Sequence, residues 1–248
     1  MPPELVSSLQ PAPAADALAI LISQDCDIVH ESYEDEPYVE LLFAKPAKER
    51  DGNLFHGKNP RRLQFEAQHT SGPQLYCVNI NEKTRVDRAL LVPGLPSTVA
   101  LDDDTIDLLA SWAAKRYTRA ALPTEFNERC RASTQRIYKK LKAHGHLITG
   151  FLLQMNSYDE LPKDSIYRVT LIGTCLPTTL QDRDQEQIAV SLLDAVHREL
   201  DRCEGIEVED ARLLSEEKVS LHDLRYMLPW DFDHVSYRSG DPDGIAPR

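Results

Sequence analysis

The feature that most limits what this chain can fold into is a change of hydrophobic period near residue 101. Before it, short apolar or alternating segments are cut apart by turn residues. After it, apolar residues recur at helical spacing. From Leu18 to Ser23 the run LAILIS is continuous, as in a strand buried on both faces. YVELLFA (38–44), RLQFEA (62–67), QLYCVNI (74–80) and RVDRALLV (85–92) follow, separated by Asp-Gly, Asn-Pro and Gly-Pro turn chemistry. Residues 17–100 are therefore expected to be β-rich.

Asp102 to Asp104 can cap a helix and set negative charge at its positive end, with Ile106, Leu109, Ala113 and Tyr117 at helical spacing behind them. A second helix, with Thr124 as N-cap, carries Phe126, Cys130, Ile137 and Leu141 on one face and ends at AHGH. Residues 101–146 thus read as a helical hairpin. Two strand-like runs, a helix over 183–203 and the run GIEVEDARLLS make 147–238 a ββαβ-like layer, closed by a short helix that Ser220 opens. In that layer Ala189, Leu192, Leu193, Val196 and Leu200 are expected on the sheet. Residues 1–16 and 239–248 read as loose ends. The fold class is α+β.

No apolar run reaches the roughly 18 residues a membrane span needs, and the N-terminus lacks a basic-then-apolar leader. Five cysteines, an odd number with no CxxC pair, point to reduced thiols, a cytoplasmic setting and no disulfide-linked partner. The usage of Ala, Arg and Asp suits a bacterial source. A net charge of −12 excludes a coat of positive potential and with it generic DNA binding over the whole surface, leaving only a local basic patch.

SQDCDIVHE gathers Gln24, Asp25, Cys26, Asp27, His30 and Glu31 at the end of the first strand, where open sheets place reactive groups. Three chemistries could use them. A thiol nucleophile at Cys26 needs an imidazole base, yet the His-Gly pairs come later, at His56-Gly57 and His144-Gly145. A zinc centre could draw on Cys26, Asp27, His30 and His56, although their spacing matches no established site. A magnesium-dependent hydrolase or nuclease could use Asp27 and Glu40 with Lys45, but Leu41 and Leu42 follow Glu40, so a Glu-x-Lys pair is missing. The plain alternative is a small buried Cys26 with Asp25 and Asp27 in a turn.

Between residues 111 and 143 nine basic residues face only Glu125 and Glu128, a local excess of +7. At about 100° per residue, Arg129, Arg136 and Lys140 share one flank of the second helix. Arg116, Tyr117 and Arg119 add an aromatic ring between cations. These six residues are expected to meet an anionic partner, either nucleic acid or an acidic protein subunit; the alternative is a solvated helix face. HGKNPRR (56–62) reads as a basic loop without phosphate-loop spacing. In LPWDFDHVSYR, Trp230, Phe232 and Tyr237 are expected to anchor the last segment, while Asp231, Asp233 and His234 form a weaker divalent-ion reading. The leading expectation is an accessory or binding protein, the competing one a metal-dependent enzyme.

Overall fold

The computed structural model describes residues 13–14, 16–91, 99–118 and 122–231. The fold is α+β and divides into two compact units. The first comprises the chain up to Arg50 together with Arg61–Tyr117, the second Asp51–Pro60 together with the chain from Thr118 onward. No helix among the described residues is long and apolar enough to cross a membrane.

In the first unit, β1 (Leu18–Leu21), β2 (Tyr38–Pro46), β3 (Arg62–His69), β4 (Gly72–Asp87) and β5 (Val99–Ala100) form one antiparallel sheet in the order β1-β2-β4-β3-β5. Of the segments 74–80 and 85–92, expected as two strands, the first and only residues 85–87 of the second lie in one strand; Arg88–Leu90 form a 3-10 turn, and Val92 lies outside the described residues. The 16 residues of β4 pair with β3 near their start and with β2 further on, because a register shift at Leu42/Ala44 lets the long strand bend. A short helix, α1 (Asp25–Ile28), follows β1, and α2 (Asp103–Thr118) covers one sheet face. There Leu109 and Trp112 pack with Leu42, Leu63, Phe65 and Val78. The opposite face buries Val39, Leu41, Phe43 and Val86, so YVELLFA is continuous because both of its faces are covered. The same reading fails for LAILIS. β1 is an edge strand in which only Ile20 is buried and Leu21 is 37% exposed. On α2, Ile106 and Tyr117 are likewise exposed, and Trp112 takes the core position.

In the second unit, β6 (Gly150–Met155), β7 (Tyr167–Cys175), β8 (Ile206–Ser215) and β9 (Leu228–Pro229) form a sheet in the order β8-β7-β6-β9, with β7 and β8 parallel and the other pairs antiparallel. Two long helices, α3 (Thr124–His144) and α5 (Arg183–Asp201), share its core; the short α4 (Pro177–Gln181) and α6 (Leu221–Tyr226) complete the unit. The amphipathic face of α5 buries Ala189, Leu192, Leu193, Val196 and Leu200, and the Asp182 carboxylate caps its first turn through the N–H groups of Asp184 and Gln185. Thr124 does not cap α3. The Glu160 carboxylate accepts from the Thr124 and Glu125 N–H groups at 2.6 and 2.8 Å instead, and these bonds hold its carboxyl below the ordinary range. Trp230 is buried against Phe151; Phe232, Asp233, His234 and Tyr237 lie outside the described residues. The stretch 101–146, expected as one hairpin, contributes one helix to each unit's core.

Candidate functional site

The strand-end cluster owes its shape to two contacts that sequence reading missed. As β1 ends, Ile22 N–H donates to Glu40 O at 3.0 Å, and the Ser23 hydroxyl accepts from Glu40 N–H at 2.8 Å. The chain then turns through α1. Beyond it the buried Arg88 gathers the loop: Nη1 donates to the carbonyls of Asp27 (3.0 Å), Ile28 (3.1 Å) and His30 (2.5 Å), Nη2 to that of Ser32 (2.8 Å), and the guanidinium lies 4.2 Å from the Tyr33 ring centroid. A cation at the C-terminal end of a helical turn satisfies carbonyls that have no partner within the turn. No local sequence signal marks Arg88 for this role, because its partners lie 56 to 61 residues away.

Residues 18–26 form one wall of a cavity of about 710 Å³, and Val99, Leu101, Ile106, Leu109 and Ala110 form the rest. The two outermost strands, β1 and β5, both reach this cavity, so the sheet curls enough to bring its ends to one hollow beside α2. The hollow is apolar along β1 and α2, and polar at the end formed by Ser23, Gln24, Asp25 and Cys26.

Cys26 is exposed rather than a buried hydrophobe. Its thiol donates to Asp27 Oδ1 (3.3 Å) and lies 3.5 Å from Gln24 Oε1; the bond to Asp27 is the main cause that pushes its pKa up, which keeps it protonated and poorly nucleophilic at neutral pH. His30 Nδ1 is occupied by Ser32. Glu40 is ion-paired to Lys83 at 2.9 Å, and Lys45 to Glu82 at 2.7 Å. His56 belongs to the second unit, where its Nε2–H donates to His146 O at 2.7 Å. Among the described residues no group of three or more His, Cys, Asp and Glu side chains is placed to hold a metal ion. The zinc set Cys26, Asp27, His30 and His56 is therefore not assembled, and the carboxylates of Asp27 and Glu40 turn to different partners, Cys26 and Lys83.

The basic residues divide sharply. Arg129, expected on a contact surface, points inward: its side chain is 7% exposed, and it donates to Glu125 (3.0 Å) and to the carbonyls of Ser165 (2.7 Å), Gly205 (2.9 Å) and Pro162 (2.9 Å). Arg136 and Lys140 stay about half exposed but meet the buried Glu199 of α5, Arg136 at 2.5 Å and Lys140 at 3.9 Å; Arg202 joins them at 2.8 Å. Burial alone would raise the Glu199 carboxyl. The hydrogen bond and charge of Arg136, then Arg202 and Lys140, reverse this and hold it below the ordinary range. Arg131 pairs with Glu128 on the surface. In the first unit Tyr117 is exposed, and its hydroxyl accepts from Lys83 Nζ at 3.1 Å. The Arg116 side chain and Arg119 lie outside the described residues.

Two further clusters sit within the second unit. HGKNPRR is not an exposed basic loop. Lys58 is buried and donates to the carbonyls of Gly145 (2.6 Å) and Ile148 just past α3, so burial lowers its pKa to about 7 against an opposing pull from Asp51. Burial likewise lowers His56 to about 4. Between α3 and α5, the Cys203 thiol donates to the Glu199 carbonyl at 3.3 Å, and its interaction with the buried Cys130 thiol raises Cys130 and lowers Cys203 to about 7. No protein-family model, curated protein or solved structure matches this chain.

Proposed function

We propose that the protein is an accessory binding protein whose second unit docks an acidic surface of a partner protein through the cations of α3 and Arg202. The observation that carries this reading is the imbalance at Glu199, where one buried carboxylate is met by Arg136, Lys140 and Arg202, all of them 45% exposed or more. Arg136 on Oε2 and Arg202 on Oε1 already give each carboxylate oxygen a charged donor, so Lys140 at 3.9 Å is in excess. Three leave a surplus of positive charge held in fixed geometry, and the exposed Lys139 extends it along α3. On a chain of net charge −12, such a patch steers a complementary acidic surface toward itself and opposes other orientations. A protein patch suits it better than nucleic acid, because a long polyanion would run past these few cations into the field of an acidic molecule. Arg129 has no part in the contact, and free thiols fit a cytoplasmic setting.

The test is Lys139→Gln combined with Lys140→Gln, which leaves the Arg136–Glu199 bond in place. Nuclease-treated lysate is passed over both proteins at low and at high salt. The wild type is expected to retain a partner at low salt only, and the variant to lose it. Equal retention by both proteins defeats the proposal. Should the wild type instead bind labelled DNA or RNA, with a log–log salt slope that falls by roughly 0.7–0.9 per lysine removed, the partner is nucleic acid.

A further inference from the structure

The edge of β1 that no described strand pairs carries an inference independent of the basic patch. In an antiparallel ladder, alternate residues turn their N–H and C=O groups toward the same neighbour. Ile22 bonds to Glu40 of β2, so Ile20 and Leu18 face β2 as well, while the backbone groups of Ala19 and Leu21 face the other way. No described strand pairs with that side. Exposed sheet edges are normally blunted by lysine, proline, an inward charge or a bulge. The sequence of β1, Leu-Ala-Ile-Leu, carries none of the first three, and its pairing with β2 is in continuous register. Its four residues offer about 13 Å of ladder. Next to that ladder is the cavity of about 710 Å³, with Ile106 half exposed at its wall.

The one charged residue that lines it among those described is acidic. Asp25 lines the polar end, Asp103, Asp104 and Asp107 stand on the first two turns of α2 beside Leu101 and Ile106, and no Lys, Arg or His lines the hollow among the described residues. We propose that β1 and this cavity form a docking site for an extended strand of a partner protein, apolar at alternate positions and bearing Lys or Arg at the end that meets Asp25. The partner's backbone continues the sheet at Ala19 and Leu21, every second side chain enters the cavity, and the terminal cation answers the acidic mouth. Main-chain bonds supply affinity, and the cavity and its acids supply selectivity.

The test begins with selection of displayed random decapeptides on the full chain, followed by anisotropy measurements on the best sequence as a labelled synthetic peptide. Enriched peptides are expected to alternate β-branched or aromatic residues with polar ones and to end in Lys or Arg. Methylating alternate backbone amides of the peptide should weaken binding about tenfold or more, since those N–H groups can no longer join the ladder. Leu21→Pro should have a similar effect without unfolding β1, because the N–H it removes faces away from β2. Ala110→Trp, at an exposed position, should block the hollow from the opposite wall; unchanged unfolding midpoints would show that both variants fold. The proposal is overturned by a selection that yields no binder, by peptides indifferent to both variants, or by full tolerance of amide methylation, which would mark a pocket for small apolar molecules. It is also overturned if the wild-type chain alone dimerises and Leu21→Pro abolishes the dimer, for the edge would then belong to a second copy.

Discussion

Lys58 shows how one side chain can set the pH response of its unit. A free lysine titrates near 10.5 and Lys58 near 7, so between those values the unfolded chain holds a proton that the folded chain has released. Stability must then rise with pH across that window, with a slope of up to about 1.4 kcal/mol per pH unit, and be independent of this group below it. Either form of the amine can still donate to Gly145 and Ile148. His56, lowered from 6.5 to about 4, acts in the same sense in its own window, costing stability as pH falls from 6.5 toward 4. Glu199 acts in that sense too: its depressed carboxyl stabilises the fold above the ordinary glutamate range, and this is lost as pH falls through the folded value. Each unit buries one tryptophan, Trp112 in the first and Trp230 in the second, so Trp112→Phe leaves Trp230 as sole reporter. Urea unfolding followed this way at pH 7, 8 and 9 should show a rising midpoint, and adding Lys58→Met should flatten it. An equally steep rise in the Met variant would remove Lys58 as its cause.

At the scale of elements, α3 is held less by its own propensity than by what reaches it from elsewhere. Glu160 caps its start, Lys58 takes carbonyls just past its end, and Arg129 ties its first turns to the carbonyls of Pro162, Ser165 and Gly205. Near its C-terminal end, Gly52 and Gly145 approach so closely that a Cβ on Gly52 would come within 2.4 Å of Gly145 N, which only glycine permits. Arg129→Ala should therefore cost about 2–4 kcal/mol, since it leaves buried carbonyls and Glu125 without their donor. Arg131→Ala, two residues on but paired only at the surface with Glu128, should change stability by no more than about 0.5 kcal/mol. Similar losses from the two substitutions in denaturant unfolding would refute the division of this helix into an inward and an outward set of cations.

At the scale of the molecule, the chain passes between units three times, because Asp51–Pro60 leaves between β2 and β3 and packs with α3. Those ten residues bring Asn53 to the Tyr138 carbonyl, His56 to that of His146, and Lys58 to those of Gly145 and Ile148. A fragment beginning at Thr118 lacks all three donors. It should unfold at markedly lower urea than the Trp230 transition of the full chain, as expected when several buried carbonyls lose their partners. An unchanged midpoint would mean that the inserted segment contributes nothing to the second unit.

What was legible in the sequence was local. The helix expected over 183–203 is Arg183–Asp201, and its five core positions are buried, because a 3.6-residue period is a property of the chain itself. The strand segments from Tyr38 and Arg62, the capping by Asp102 and the capping box at Ser220 are equally short-range. Only the tertiary structure decided which apolar strand would be an edge, since LAILIS and YVELLFA look alike until their neighbours are placed. It also decided which cations face inward. Arg129, Arg136 and Lys140 share a helix flank, yet one meets carbonyls 33 to 76 residues away and the others a carboxylate on another helix. A helical period tells where a side chain points along its own element; burial, charge pairing and pKa depend on what the fold brings opposite it, and that partner is distant in the chain.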